Sequence, residues 1–241
     1  MALKRLITLA QKAMSAQGSK LVEDGELGPK TELEMKRYTF NVTAALLAKD
    51  ATPVIPTQHG TAWLDEARKS MGKKETDPEF QAKMNPFWAK AGLPQFKGLV
   101  GSARAWCAIF ILANLSWAGY AFKNGNARAK SWDNFGTKID WRKNGIPQGA
   151  IVRINGKGVC SSASGNHVTF ANGSCSASDL AKSGASFSGL GGNQGNMVKV
   201  SSYPVAHICA VTWPKEVAVP AAVTESKNCS NGKTDATEST R

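Results

Sequence analysis

The chain has 241 residues, 42% of them hydrophobic, which is enough to build a proper core, and its 30 Lys and Arg against 18 Asp and Glu leave a formal net charge of +12. That balance points to an anionic partner or surface, but the basic residues are scattered, with no run of five and no nucleic-acid-binding motif, so nucleic acid is not expected. No apolar run approaches the roughly 18 residues a membrane span needs, and three histidines without a CxxC pair argue against zinc, so no metal or other cofactor is expected.

In chain order, residues 3–16 fit an amphipathic helix with Leu3, Leu6, Ile7, Ala10, Ala13 and Met14 on one side. Its apolar stretch is broken by Gln11 and Lys12 and no cleavage site follows, so a helix is a better reading than a signal peptide. Asp24-Gly25 is a turn signal, and Gly28-Pro29 sets up a second helix through Leu33 and Met35. Residues 40–49 extend the helical region, and 50–60, with two prolines and His59, read as a solvated linker. Helices are expected over 63–71 and 80–91, the second ended by Gly92 and Pro94.

The stretch 104–119 is a largely buried helix, apolar on nearly all sides, with Ser102 as a candidate N-cap and Gly119 as its stop. Cys107 falls in its first turn, where unpaired N–H groups stabilise an anion. It reads either as a buried small hydrophobe or as a nucleophile, the choice resting on a partner histidine. Residues 129–136 form a loop or short helix whose Trp132 and Phe135 pack on the core or line a cleft.

Strands are expected at 147–155 after a turn, at 166–171, at 197–201 and at 206–213, with 161–166 and 174–188 small, polar and loop-like. From 215 the chain is Ala-, Thr-, Ser- and Lys-rich without periodicity and is expected to be a flexible tail. Of the five cysteines, Cys107 is expected to stay free; Cys160 with Cys175, and Cys209 with Cys229, are candidate disulfides, although nothing in the sequence fixes the redox environment.

The order is therefore helices, a cysteine on a buried helix, then short antiparallel strands: an α+β domain. His167 opens one strand, and Asn193 and Gln194 follow in a glycine-rich turn. A thiol, an imidazole to hold its proton and a polar group to fix the ring's tautomer are the parts of a cysteine peptidase.

Two resemblances sharpen this. Asp24-Gly25-Glu26-Leu27-Gly28-Pro29-Lys30-Thr31 resembles the D-G-x-[FL]-G-x-x-T turn of the small peptidoglycan-binding module of cell-wall hydrolases, though a clear third helix is lacking. Residues 63–214 resemble the cysteine peptidases of the CHAP and NlpC type, in particular a phage-associated branch. Ala105-Trp106-Cys107-Ala108-Ile109-Phe110, 131–136, 147–152, Gly165-Asn166-His167-Val168, Leu190-Gly191-Gly192-Asn193-Gln194-Gly195 and 203–214 carry that resemblance in order.

It implies a papain-like core, a helix bearing the cysteine packed on a small antiparallel sheet. It also implies a division into 1–49 as a helical wall-binding module (Asp24, Gly25, Gly28 and Thr31 as its binding residues), 50–60 as linker, 61–214 as catalytic domain and 215–241 as tail. Cys107 is the implied nucleophile, His167 the base, Asn193 the orienting residue and Gln194 its alternate, while His207 in the last strand matches no catalytic position. The implied function is that of an endolysin cutting an amide of the peptidoglycan stem peptide or cross-bridge. An N-acetylmuramoyl-L-alanine amidase and a non-catalytic wall-binding or virion protein are the alternatives. The implied partner is bacterial peptidoglycan, met by a monomer made in the host cytoplasm without a signal peptide, free or virion-associated.

Overall fold

The computed structural model describes Lys4, Ile7, Thr8, Gln11, Lys12, Asp24 and residues 61–100, 105–120, 127–215 and 217–230. The chain divides into two units, Met1–Gln58 and His59–Arg241, a division that falls inside the stretch read as a linker. In the first unit residues 4, 7, 8, 11 and 12 are helical, as their periodicity predicts. Gln11 Nε2 donates to Asp24 Oδ1 at 2.9 Å, so the side chain read as a wall contact has an acceptor's role inside its own unit. Gly25, Gly28, Thr31, the linker with His59, and Ser102 lie outside the described residues.

The second unit opens on three short helices: α1 (Ala62–Arg68), α2 (Pro78–Met84) and α3 (Pro86–Lys90). The single helix expected over 80–91 is two. Pro86 has no N–H to continue the ladder and takes the first position of a new helix. Asp77 caps α2 by accepting from the Glu79 and Phe80 N–H groups. Trp63, Leu64, Phe80, Met84, Phe87 and Trp88 bury the inner faces of these helices. They pack around α4 (Cys107–Trp117), which is buried without interruption from Cys107 to Leu115. A helix with apolar residues all round has no face for water, and here the other side is covered by the sheet.

That sheet joins β1 (Thr137–Lys138), β2 (Ile151–Asn155), β3 (Asn166–Ala171), β4 (Ser186–Gly191), β5 (Lys199–Pro204), β6 (Ile208–Trp213) and β7 (Cys229–Ser230). The spatial order is β1-β6-β2-β3-β4-β5 with β7 added on β4, and every pairing is antiparallel. Two one-turn helices, α5 (Trp141–Asn144) and α6 (Ala177–Leu180), and 3-10 turns at Ala129–Asn134 and Val205–His207 complete it. The second unit is thus α+β, its helices packed with an antiparallel sheet. Among the described residues no helix is long and apolar enough to cross a membrane.

Several expectations need correction. Residues 174–188, read as loop, contain α6 and the start of β4, an interior strand bonded to β3, β5 and β7. Its Ser-Phe-Ser-Gly-Leu-Gly sequence hides it because the site is crowded: a Cβ on Gly189 would stand 2.8 Å from both Thr169 and Tyr203. The strand expected at 197–201 runs instead over Lys199–Pro204, and His207 sits in the 3-10 turn before β6 rather than in the strand. Trp132 and Phe135 pack together, ring centroids 4.8 Å apart, with Trp132 in the core.

The stretch from 215, expected to be a flexible tail, folds back over Val217–Ser230. The Val223 N–H donates to Asn144 O, that of Lys227 to Ser174 O, and Ser226 donates to Asp179, whose carboxyl Lys182, Ser226 and Ser176 hold down at about 2. The disulfides are Cys160–Cys209 and Cys175–Cys229, not the pairs read from sequence neighbours, and Cys107 is free. The sheet order is the reason. β6 lies beside β2, which brings Cys209 to the loop after β2 that carries Cys160, and β7 lies along β4 beside the turn that carries Cys175.

Candidate active site

Cys107 is the first residue of α4, preceded by Trp106 at the cap position with no side-chain cap. The N–H groups of Cys107 itself, Ala108 and Val168 all point at its sulfur. The last of these matters most, because Val168 follows His167 on β3. β4 pairs with β3 only at Phe170 and Ala171, so that edge of β3 is open at 167–168 and the start of α4 docks there. Fold topology, not local sequence, therefore carries the thiol to the strand of the imidazole across 60 residues of chain. A second close approach seats the helix: a Cβ on Gly192 would stand 2.3 Å from the Trp106 ring, so only glycine lets the turn after β4 pass under the helix start.

Cys107 is 3% exposed and His167 1%. Burial raises the thiol pKa above its ordinary value against the lowering effect of the three N–H groups. Burial also lowers His167 to about 4, opposed by its bond to Gln194. At neutral pH Cys107 is a thiol and His167 a neutral imidazole, the state in which the ring can accept a proton.

The ring's hydrogen-bond partner is well defined. His167 Nε2 lies 3.3 Å from Gln194 Oε1. Gln194 Nε2 donates to Lys199 O and, at 3.5 Å, to Gly189 O. Both of those are carbonyl oxygens, which only accept, so the amide is oriented with its oxygen toward the ring. An oxygen facing Nε2 requires the proton on Nε2, which leaves the Nδ1 lone pair free to act as base. Tyr203 also donates to Gln194 Oε1, and its phenol is close enough to Cys107 to sense its charge.

Of the residues singled out in the sequence, the structure brings together Cys107, His167 and Gln194. Asn193 is half-buried in the left-handed conformation, φ 61°, and among the described residues it makes no side-chain hydrogen bond to His167. The turn spends Asn193 on its backbone and presents the next residue to the ring. His207 lies outside this cluster, in the turn before β6.

Two groups went unread in the sequence. Tyr203 left only its place before Pro204 as a sign. Arg153 left a clearer one, a lone arginine inside the apolar run of β2. It is 3% exposed and forks onto Asp133, with Nη2 at 2.8 Å from Oδ2. It also donates to Asn166 Oδ1 at 2.6 Å, and so anchors the residue before His167. The Cys160–Cys209 disulfide and the Asn155 side chain, bonded to Ser164 O and to the N–H groups of Lys157 and Val159, tie down the same loop. Among the described residues no group of three or more His, Cys, Asp or Glu side chains is placed to hold a metal ion.

The buried imidazole predicts a pH signature. In the unfolded chain His167 takes up a proton near 6.5, and in the folded protein only near 4. Stability is therefore complete above pH 6.5 and declines as the pH falls toward 4, by about 3 kcal/mol over that window. Urea midpoints at pH 7 and pH 4 for the wild type and His167→Gln check this, since the variant should lose that part of the decline.

No family model matches the chain, and neither a curated protein nor a solved structure matches it.

Proposed function

We propose that the protein is a peptidoglycan hydrolase of the endolysin kind, with a papain-like catalytic core that cuts an amide of the stem peptide or cross-bridge through Cys107. The observation that supports the proposal is that β3 carries both the Val168 N–H on the Cys107 sulfur and, one residue before it, the His167 ring bonded to Gln194 Oε1. His167 Nδ1 takes the thiol proton as the sulfur bonds to the substrate carbonyl carbon. The oxyanion that develops meets N–H groups at the start of α4. Collapse breaks the C–N bond, and the leaving amine takes the proton from the imidazolium. Water, deprotonated by the same imidazole, then hydrolyses the thioester, and the proton returns to the sulfur. Gln194, by contact, takes the orienting role for which Asn193 was the first candidate.

The 24–31 stretch would hold the enzyme on the wall, and the charge of +12 suits an anionic envelope. Two disulfides favour action outside a reducing cytosol. A second reading, a wall-binding or virion protein that keeps the fold without activity, draws on the burial of both Cys107 and His167.

Mass analysis of the soluble fragments released from purified peptidoglycan tests the proposal. Peptides freed intact from the glycan identify an amidase, and stem peptides split internally identify an endopeptidase. Wall bound but never cleaved by folded protein would overturn the hydrolase reading in favour of the second.

A further inference from the structure

We infer that Tyr203 is a positioning residue that fixes the tautomer of His167 by holding the Gln194 amide in one orientation. The inference rests on the reading of His167 as the base, but its test does not require substrate.

Four contacts carry it. His167 Nε2 is 3.3 Å from Gln194 Oε1, Tyr203 donates to that same oxygen, and Gln194 Nε2 is spent on Lys199 O and Gly189 O. An amide oxygen has two lone pairs and accepts both the phenol O–H and the ring N–H at once. A flipped amide would turn its oxygen onto two carbonyl oxygens and take away the acceptor of the buried Tyr203 O–H, which would then have to turn elsewhere. The phenol therefore adds a third contact to the two carbonyl contacts that disfavour the flip. Burial, together with the nearby Cys107, raises the phenol pKa, so its proton stays in place. The ring of Tyr203 reaches this position for two further reasons. Gly189 has no side chain in its path, a Cβ there standing 2.8 Å from Tyr203 Cε2, and Phe187 is its partner across β4 and β5, ring centroids 5.7 Å apart. The His167 ring lies 5.7 Å away on the other side.

The consequence is chemical. With the proton fixed on Nε2, Nδ1 is always the acceptor. With Tyr203→Phe the amide loses one of the three contacts that hold its orientation and keeps only the two carbonyl contacts, so the flipped amide, and with it the Nδ1–H tautomer that cannot take a proton from the thiol, becomes populated.

The test is 15N NMR of the imidazoles in the full chain at pH 7, with His167 assigned by its loss in His167→Gln. The wild type should show His167 solely as the Nε2–H tautomer. Tyr203→Phe should show a mixture, together with a roughly tenfold loss in kcat/KM, as the loss of one buried neutral hydrogen bond implies. A merely structural tyrosine would move Tm and leave the tautomer alone. A wild-type ring protonated on Nδ1, or a Tyr203→Phe ring still wholly Nε2–H, overturns the inference. Should Tyr203→Phe not fold, the wild type still decides, because slowly exchanging Tyr203 O–H and His167 Nε2–H protons must both be seen. If the tautomer responds as stated but neither protein cleaves peptidoglycan, the hydrolase reading falls and the positioning role stands.

Discussion

His167→Ala should lower kcat/KM on peptidoglycan by about a thousandfold while the protein stays folded. The reason lies in the two titrations. Burial raises the Cys107 thiol, so almost no thiolate exists at neutral pH without a base to remove the proton. Burial lowers His167 to about 4, so the imidazole is unprotonated and competent throughout the neutral range. Positioned proton transfer of this kind contributes roughly 10²–10⁴-fold. The wild-type kcat/KM should accordingly hold level down through pH 5 and fall as the pH approaches 4. Since His167 is 1% exposed, alanine leaves a cavity, and His167→Gln gives a better-filled comparison. Initial rates across pH for the three proteins decide the matter. Retention of more than a tenth of the activity by both variants would remove His167 from the mechanism.

Asp133→Ala should cost about 3–5 kcal/mol of stability. Arg153 is buried in the middle of β2, and Asp133 is its counter-ion through a two-pronged contact. Without Asp133 the guanidinium keeps only neutral acceptors, Asn166 Oδ1 and Cys160 O, for a charge that water cannot reach. Asp133 is itself a quarter exposed, so removing the arginine instead strands the less buried partner and should cost less. The double variant Asp133→Ala with Arg153→Met, which removes the buried charge altogether, should recover part of the loss. Urea denaturation of the three variants measures this. A loss below 1 kcal/mol for Asp133→Ala would show that the guanidinium finds water after all. Because Arg153 also holds Asn166, Asp133→Ala should loosen the entry of β3 and with it His167.

What the sequence shows of this molecule follows from how local each signal is. α4 is legible because the seven apolar residues Cys107–Ala113, followed by Leu115 and Trp117, admit a buried helix, and β2, β3 and β6 because β-branched and apolar residues dominate them between turns. β4 is not legible, since its place in a crowded sheet selects serines and glycines that read as loop. The same logic hides the return of 217–230, which is held by backbone pairing and a disulfide rather than by apolar residues. Disulfide pairing follows sheet order, which no spacing encodes. In the candidate site the thiol and the imidazole are named by residue type and neighbourhood. The choice between Asn193 and Gln194 depends on a left-handed turn residue, visible only once the chain is folded.

The most direct measurement is digestion of purified peptidoglycan by the wild type and by Cys107→Ala, side by side, with soluble fragments read by mass. Cys107 is the one free cysteine among the described residues, and alanine fits its buried position with little disturbance. Fragments from the wild type alone, with equal wall binding by both proteins, are the predicted result. Equal release by the two proteins, or silence from both with binding retained, would contradict a cysteine hydrolase centred on Cys107.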